Sequence, residues 1–206
     1  MTSSLADSAP RILIVGAVAG GASAAARARR MNERAEIVMF ERDAYISFAN
    51  CGLPYHVGGE IADREKLLIA TPELFHDRFR VETRLRHEVT AIDRAAHEIE
   101  VRDHAAGRSY REGYDKLILS PGAEPIRPAI PGAEAAGVHT LRTIPDMDGI
   151  IANMAHARRA VVIGAGYIGL ELAEQLAHRG LEVTIVELQH QVMPYLDFEI
   201  AEPLHR

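Results

Sequence analysis

Only one of the 206 residues is a cysteine, Cys51, so no disulfide framework closes within the chain, and a reducing, cytoplasmic setting is expected. Basic charge is not in excess. The 23 Lys and Arg against 29 Asp and Glu give a formal net charge of −6, which offers no support for nucleic-acid binding. No apolar run approaches the roughly 18 residues of a membrane-spanning helix. Met1 to Pro10 is polar and lacks the basic-then-apolar pattern of a secretory leader. There is no low-complexity tract, and none of the ten histidines stands at metal-ligand spacing from Cys51, so no metal site is expected. What remains is 48% hydrophobic and 25% charged, an ordinary composition for a soluble globular protein. The length suits one large or two small domains.

Against this plain background two segments stand out. Arg11-Ile12-Leu13-Ile14-Val15 is a short apolar run of the kind buried on both faces of a sheet. Gly16-Ala17-Val18-Ala19-Gly20-Gly21 follows it, then an alanine-rich stretch from Ala22 to Arg30 that predicts a helix. A second apolar run, Ile37 to Phe40, ends at Glu41, 20 residues beyond Gly21. Strand, glycine turn, helix, strand and acid make a βαβ unit in which the backbone approaches a pyrophosphate at a helix N-terminus, and the acid accepts hydrogen bonds from a ribose. Val18 stands where the middle glycine of the usual GxGxxG is expected. An ordinary buried βα turn is the competing reading.

The second segment has the full pattern. Ala160-Val161-Val162-Ile163 leads into Gly164-Ala165-Gly166-Tyr167-Ile168-Gly169, then a helix through Leu176, a stop at Gly180 and a strand from Glu182 to Val186. Glu187 ends that strand, 18 residues past Gly169. A carboxylate there binds a free 2′-hydroxyl and repels a 2′-phosphate, which favours NADH over NADPH. The two glycine turns start 148 residues apart, at Gly16 and Gly164, and suggest two different dinucleotides on one chain.

Between them, Thr71-Pro72 predicts an N-cap and first helical position for a helix through about Phe79. Short β segments follow from Val81 to Val101, with a turn at Gly107 and a strand at Leu117-Ile118-Leu119. Pro121, Pro125, Pro128 and Pro131 then mark an extended connector, and a helix is expected around Pro145 to His156. Cys51 lies in Ser47-Phe48-Ala49-Asn50-Cys51-Gly52-Leu53-Pro54-Tyr55, where Gly52-Leu53-Pro54 opens a short helix. A thiol at such a position feels positive potential and loses its proton more easily. Ser47 and Asn50 offer hydrogen bonds to a thiolate, a ring or a substrate. Free cysteine is also among the most buried residue types, so composition alone leaves a structural role open.

Taken together these residues resemble the flavin-dependent pyridine nucleotide–disulfide oxidoreductases. The nearest likeness is to the single-cysteine branch of coenzyme A disulfide reductases and CoA-persulfide or polysulfide reductases. The resemblance rests on Gly16 to Ser23, Phe40-Glu41-Arg42, Ser47 to Gly59, Leu119 to Ala123 and the second glycine turn with Glu171 and Glu187. Val18 is also what this branch carries, and Asn50-Cys51-Gly52-Leu53-Pro54-Tyr55 points to the CoA side rather than the oxidase side.

The resemblance implies an α/β, three-layer architecture of Rossmann-like dinucleotide-binding folds, like glutathione reductase. It implies FAD at Gly16, Val18, Gly20, Gly21, Glu41 and Arg42, with Val89 near the adenine and Gly122 near the pyrophosphate. NAD(P)H would lie at Gly164, Gly166, Tyr167, Ile168, Gly169 and Glu187. Hydride passes to the flavin, and its electrons reach a mixed disulfide of Cys51 with coenzyme A, with Ser47 and Asn50 beside the thiol. Ser23, Arg27 and Arg30 share one helix face, suited either to CoA phosphates or to plain solvation.

The resemblance also implies further chain. Residues 1–145 read as an incomplete FAD-binding domain and residues 146–206 as the first βαβ of an NAD(P)H-binding domain. The rest of that domain and a C-terminal dimerisation domain are expected beyond, so the full-length enzyme is expected to be a homodimer acting on small thiol or disulfide substrates, while this fragment alone binds FAD poorly and does not turn over. Two alternatives stay open: an NADH oxidase or peroxidase cycling through a Cys51 sulfenate, and a non-catalytic dinucleotide-binding fragment.

Overall fold

A computed structural model describes residues 9–205, so most of the polar start read above for a leader pattern lies outside the described residues. In chain order the elements are β1 (Arg11–Val15), α1 (Ala19–Met31), β2 (Glu36–Glu41), α2 (Leu53–Gly58), α3 (Pro72–Phe79), β3 (Glu82–Leu85), β4 (His87–Asp93), β5 (Glu98–Asp103), β6 (Arg108–Gly113) and β7 (Lys116–Leu119). Then come α4 (Ile144–Met154), β8 (Arg159–Ile163), α5 (Tyr167–His178), β9 (Glu182–Val186) and α6 (Phe198–Ala201). Short 3₁₀ turns occupy Asn50–Gly52, Arg64–Leu67 and Glu202–His205. No described helix is long and apolar enough to cross a membrane.

The chain forms two compact units, Met1–Phe48 with Leu68–Ala123, and Ala49–Leu67 with Glu124–Arg206. This grouping follows packing, whereas the expected division after residue 145 followed the proline-rich connector.

In the first unit β3, β2, β1 and β7 form a parallel sheet in that order, and β4, β5 and β6 form an antiparallel one. Successive side chains of β1 point to opposite faces, as a strand requires. Leu13 joins Val38, Phe40, Ile99 and Val101 in a cluster that binds the two sheets. Ile14 instead meets Ile37, Met39, Ala22, Ala25 and Phe75 on the helical side. Burial on both faces explains why β1 and β2 read as unbroken apolar runs. The result is the three layers expected: helices, parallel sheet, antiparallel sheet.

Two polar devices tie this unit together. Arg29 is only 8% exposed and faces away from Arg27 and Arg30. Its guanidinium donates to the carbonyls of Phe79 at 2.6 Å, Ala35 at 2.7 Å, and Glu33 and Arg80 at 2.8 Å. It thereby joins the end of α1, the turn into β2 and the end of α3. Arg84 of β3 pairs with Glu112 of β6, whose other oxygen takes Arg11 of β1 at 2.6 Å.

In the second unit β8 and β9 pair in parallel, joined by α5. The predicted helix near Pro145 starts one residue earlier, at Ile144. Thr143 accepts the Asp146 N–H at 3.3 Å while the Asp146 carboxylate accepts that of Thr143 at 2.9 Å, a capping box. Gly180 lies just past the α5 C-cap at φ 86°, as the expected stop requires. β6 and α6 had no clear sequence signal.

Candidate functional site

The two glycine turns are built alike. Gly16 has φ 87° and Gly164 φ 97°, a left-handed backbone that glycine adopts without strain. Each donates its N–H to the strand beside it, Gly16 to Phe40 and Gly164 to Val186, both at 2.8 Å. A Cβ on Gly21 would lie 1.7 Å from the Gly16 carbonyl oxygen, and one on Gly169 would lie 2.0 Å from that of Gly164. Helix and turn therefore meet backbone to backbone. Gly20 comes close to the Ser120 side chain, and Gly122, at φ 74°, follows shortly after.

Val18 is the N-cap of α1 with φ −84°, and Gly166 is the N-cap of α5 with φ −79°. Neither position needs a left-handed backbone, which is why valine fits at one of them. Neither helix has a side-chain cap or an acid in its first turn. Both N-termini therefore keep backbone donors and positive potential suited to a phosphate.

The acids at the strand ends do more than the sequence suggested. Glu41 accepts the Ala17 N–H at 2.9 Å and the Asp43 N–H at 3.1 Å. Glu187 accepts the Ala165 N–H at 2.7 Å and the Gln189 N–H at 2.9 Å. In each unit the acid clamps the residue after the first glycine. A carboxylate has about four acceptor sites, so capacity for ribose hydroxyls remains. The Ala165 N–H, then that of Gln189, holds the Glu187 carboxyl below the usual carboxylate range. Arg42 follows Glu41 and is exposed.

Tyr195 was not foreseen. Its hydroxyl accepts the Tyr167 N–H at 3.1 Å, and the two rings lie 5.3 Å apart. Ile168, next on α5, is exposed. Tyr195 lies 26 residues past Gly169 in an irregular stretch, where no sequence pattern points to it.

The thiol turn belongs to the second unit. Cys51 is exposed, within the 3₁₀ turn Asn50–Gly52 that runs directly into α2. It is not a buried structural cysteine. The turn is held from behind: the Ala49 N–H donates to Leu67 at 2.8 Å, and a Cβ on Gly52 would stand 2.8 Å from the Leu67 side chain. In the first unit Ser47 adopts φ 44°, rare for a residue with a side chain. Its N–H donates to Ala17 at 3.0 Å and its carbonyl accepts from Ile69 at 2.9 Å. The structure thus brings Ser47 to the first glycine turn and keeps Asn50 with Cys51.

The other expected residues are spread out. Ser23, Arg27 and Arg30 are exposed on α1. Val89 is half-buried in β4, paired with Val101 and packed on the cluster between the two sheets, beside a register shift in the strand. No group of His, Cys, Asp and Glu among the described residues could hold a metal ion.

Residues 10–206 match the family model of the pyridine nucleotide-disulphide oxidoreductases. A coenzyme A disulfide reductase of Staphylococcus epidermidis is 41% identical over 194 residues, which are 94% of this chain and 44% of that protein. The reduced CoADR-RHD of Bacillus anthracis superposes with a TM-score of 0.93 at 50% identity, over 96% of this chain and 36% of that one. An NAD-dependent persulfide reductase from A. fulgidus gives 0.90 at 36% identity, over 94% and 36% respectively. The chain spans less than half the length of these relatives. With two matched glycine turns and the thiol turn in place, it belongs to the pyridine nucleotide-disulphide oxidoreductase family.

Proposed function

We propose that the protein to which this chain belongs is an FAD-dependent NADH oxidoreductase that reduces coenzyme A disulfide, or CoA persulfide and polysulfide, through Cys51. The observation that carries this reading is the exposed Cys51 thiol, alone in the chain, at the start of α2 and next to Asn50. The relatives named as reducing coenzyme A disulfide and persulfide support it.

FAD fits the first glycine turn. Gly16, Gly20 and Gly21 let the turn pack tightly on Ser120 and on itself, so that with Val18 it presents an open helix end to the pyrophosphate, Glu41 keeps acceptor sites for the ribose, and Arg42, Val89 and Gly122 complete the expected contacts. When bound, it relays electron pairs from the nicotinamide to sulfur. NADH fits Gly164, Gly166, Tyr167, Ile168 and Gly169, with Glu187 accepting a 2′-hydroxyl and disfavouring a 2′-phosphate. On this reading 1–145 is the flavin-binding part and 146–206 the start of the NAD(P)H-binding part.

Cys51 performs the exchange. Its thiolate attacks one sulfur of the disulfide, the S–S bond breaks, and one CoA leaves as a thiolate that takes a proton from solvent. A two-electron reduction of the resulting mixed disulfide, with one proton, frees the second CoA and restores the Cys51 thiolate. Asn50, in the same turn, offers a polar contact to the sulfur. The exposed guanidiniums of Arg27 and Arg30, with Ser23, suit the CoA phosphates. A cytoplasmic homodimer is the expected form of the whole enzyme.

The test uses full-length protein titrated anaerobically with NADH. Cys51→Ser should retain flavin and lose disulfide reduction; retained reduction overturns the assignment. Coenzyme A released on denaturation with reductant supports the reading. A Cys51 sulfenate with peroxide-driven NADH oxidation would replace it with a peroxidase.

A further inference from the structure

Helices α2 and α5 pack side by side within the second unit. Their contacts advance together along both chains. Tyr55 feels the charges of Glu171 and Glu174, Gly58 meets Gln175, Gly59 lies by the Arg179 guanidinium, and Glu60 reaches Gln175 and His178. Rising numbers on both sides mean that the helices run in the same direction. The two helices therefore begin at the same end of the pair, where α2 carries the Cys51 turn and α5 carries the Gly164–Gly169 turn.

The closest interlock is at Gly58. A Cβ built there would stand 1.7 Å from Oε1 of Gln175 and 3.0 Å from its Cβ. Gly58 is not in the left-handed region, so glycine is needed for room rather than for backbone conformation. Gln175 is only 1% exposed, its Nε2 donates to Glu60 at 2.8 Å, and its Oε1 has no N–H or O–H partner. The hydrogen that glycine carries in place of Cβ points at that oxygen, a Cα–H···O contact. A helix of six residues has little stability of its own, so its position is decided by what it packs against. At its thiol end α2 is held by Gly52 on Leu67, and at its other end by Gln175.

We propose that Gln175 is a positioning residue for the thiol: by filling the notch at Gly58 and holding Glu60, it fixes α2 along α5 and so sets where Cys51 stands relative to the second glycine turn. The proposal rests on the reading of Cys51 as the redox sulfur. It gives two residues outside the expected cofactor contacts a defined role. It also explains a glycine and a buried amide that neither nucleotide turn requires.

The experiment measures iodoacetamide alkylation of Cys51 in the full-length protein, followed at its peptide by mass spectrometry across a pH series, for three variants. Gly58→Ala drives a methyl into the amide. Gln175→Leu keeps the bulk and removes the bond to Glu60. Gly58→Ala with Gln175→Ala relieves the clash with the amide and leaves only the close contact of the two Cβ atoms at 3.0 Å. The expected result is a severalfold change in rate in both single variants, with the double variant, which also lacks the bond to Glu60, no closer to the parent than Gln175→Leu. Because Gln175→Leu adds no bulk, it remains informative if Gly58→Ala fails to fold. The proposal is overturned if the single variants lower only the unfolding temperature and leave the Cys51 rate and its pH profile unmoved. It is equally overturned if the double variant returns to the parent rate, because that variant has neither the amide nor the bond to Glu60. Alkylation reports on the thiol itself, so these outcomes stand apart from whether Cys51→Ser retains disulfide reduction.

Discussion

Glu187 accepts the Ala165 N–H at 2.7 Å, so the acid that ends β9 is clamped to the glycine turn that starts α5. Backbone donors hold its carboxyl below the ordinary range. The folded protein therefore favours the carboxylate. That stability is fully present above the unfolded value of about 4.3 and is lost as pH falls through the lower folded value. In urea unfolding of the full-length protein, the parent's advantage over Glu187→Gln should shrink as pH drops below about 4. An advantage constant down to the acid limb would remove the carboxylate charge from this account.

We propose that the same residue also governs nucleotide choice. Leu188 follows it and is 94% exposed, free to be replaced without loss of packing. Glu187→Ala with Leu188→Arg removes the repulsion of a 2′-phosphate and adds a guanidinium that can pair with it. The expected outcome is a fall in kcat/KM for NADH and a rise for NADPH, each by about tenfold or more, corresponding to roughly 1.4 kcal/mol. Steady-state rates with both nucleotides decide it, and an unchanged ratio would move selectivity to other residues. The loss of the clamp on Ala165 should appear separately, as reduced stability.

Arg29 offers a test of structure alone. Its replacement by Met leaves the carbonyls of Phe79, Ala35, Glu33 and Arg80 without their donor. One buried and three part-buried acceptors left without this donor, with lost packing, should together cost about 2–4 kcal/mol in urea unfolding. Arg29→Lys should recover only part of this, because one ammonium cannot span donors set around a planar fork. Full recovery by Lys would show that charge, not the fork, matters.

Arg27 and Arg30, exposed on the same helix, should behave in the opposite way. Arg27→Ala with Arg30→Ala should leave unfolding within about 0.5 kcal/mol of the parent. The KM for coenzyme A disulfide should rise severalfold, with weaker dependence on salt. An unchanged KM would leave them a solvated basic face.

Most of the fold was legible because its signals are local. β1, α3 and β9 lie where apolar runs and the Thr71-Pro72 cap place them, and both acids fall at strand ends as spacing predicts. The clamp of Glu41 on Ala17 was not legible, since an acid after a strand reads the same whether it faces ligand or backbone. Tyr195 and Gln175 were missed for a related reason. Each acts across a tertiary contact, on Tyr167 and on Gly58, and their own neighbours in sequence carry no pattern. Arg29 looked like one more arginine in a basic helix, and only the three-dimensional placement of four carbonyls distinguishes it from Arg27 and Arg30.

Val18, with its ordinary φ of −84°, has a practical consequence for finding such turns. A search pattern that insists on glycine at every marked position passes over this one, though its backbone asks nothing of glycine there. The diagnostic constraints sit at the two ends, where Gly16 must bend left-handed and Gly21 must let a carbonyl through. Patterns weighted by those two demands would recover turns whose middle residue has drifted.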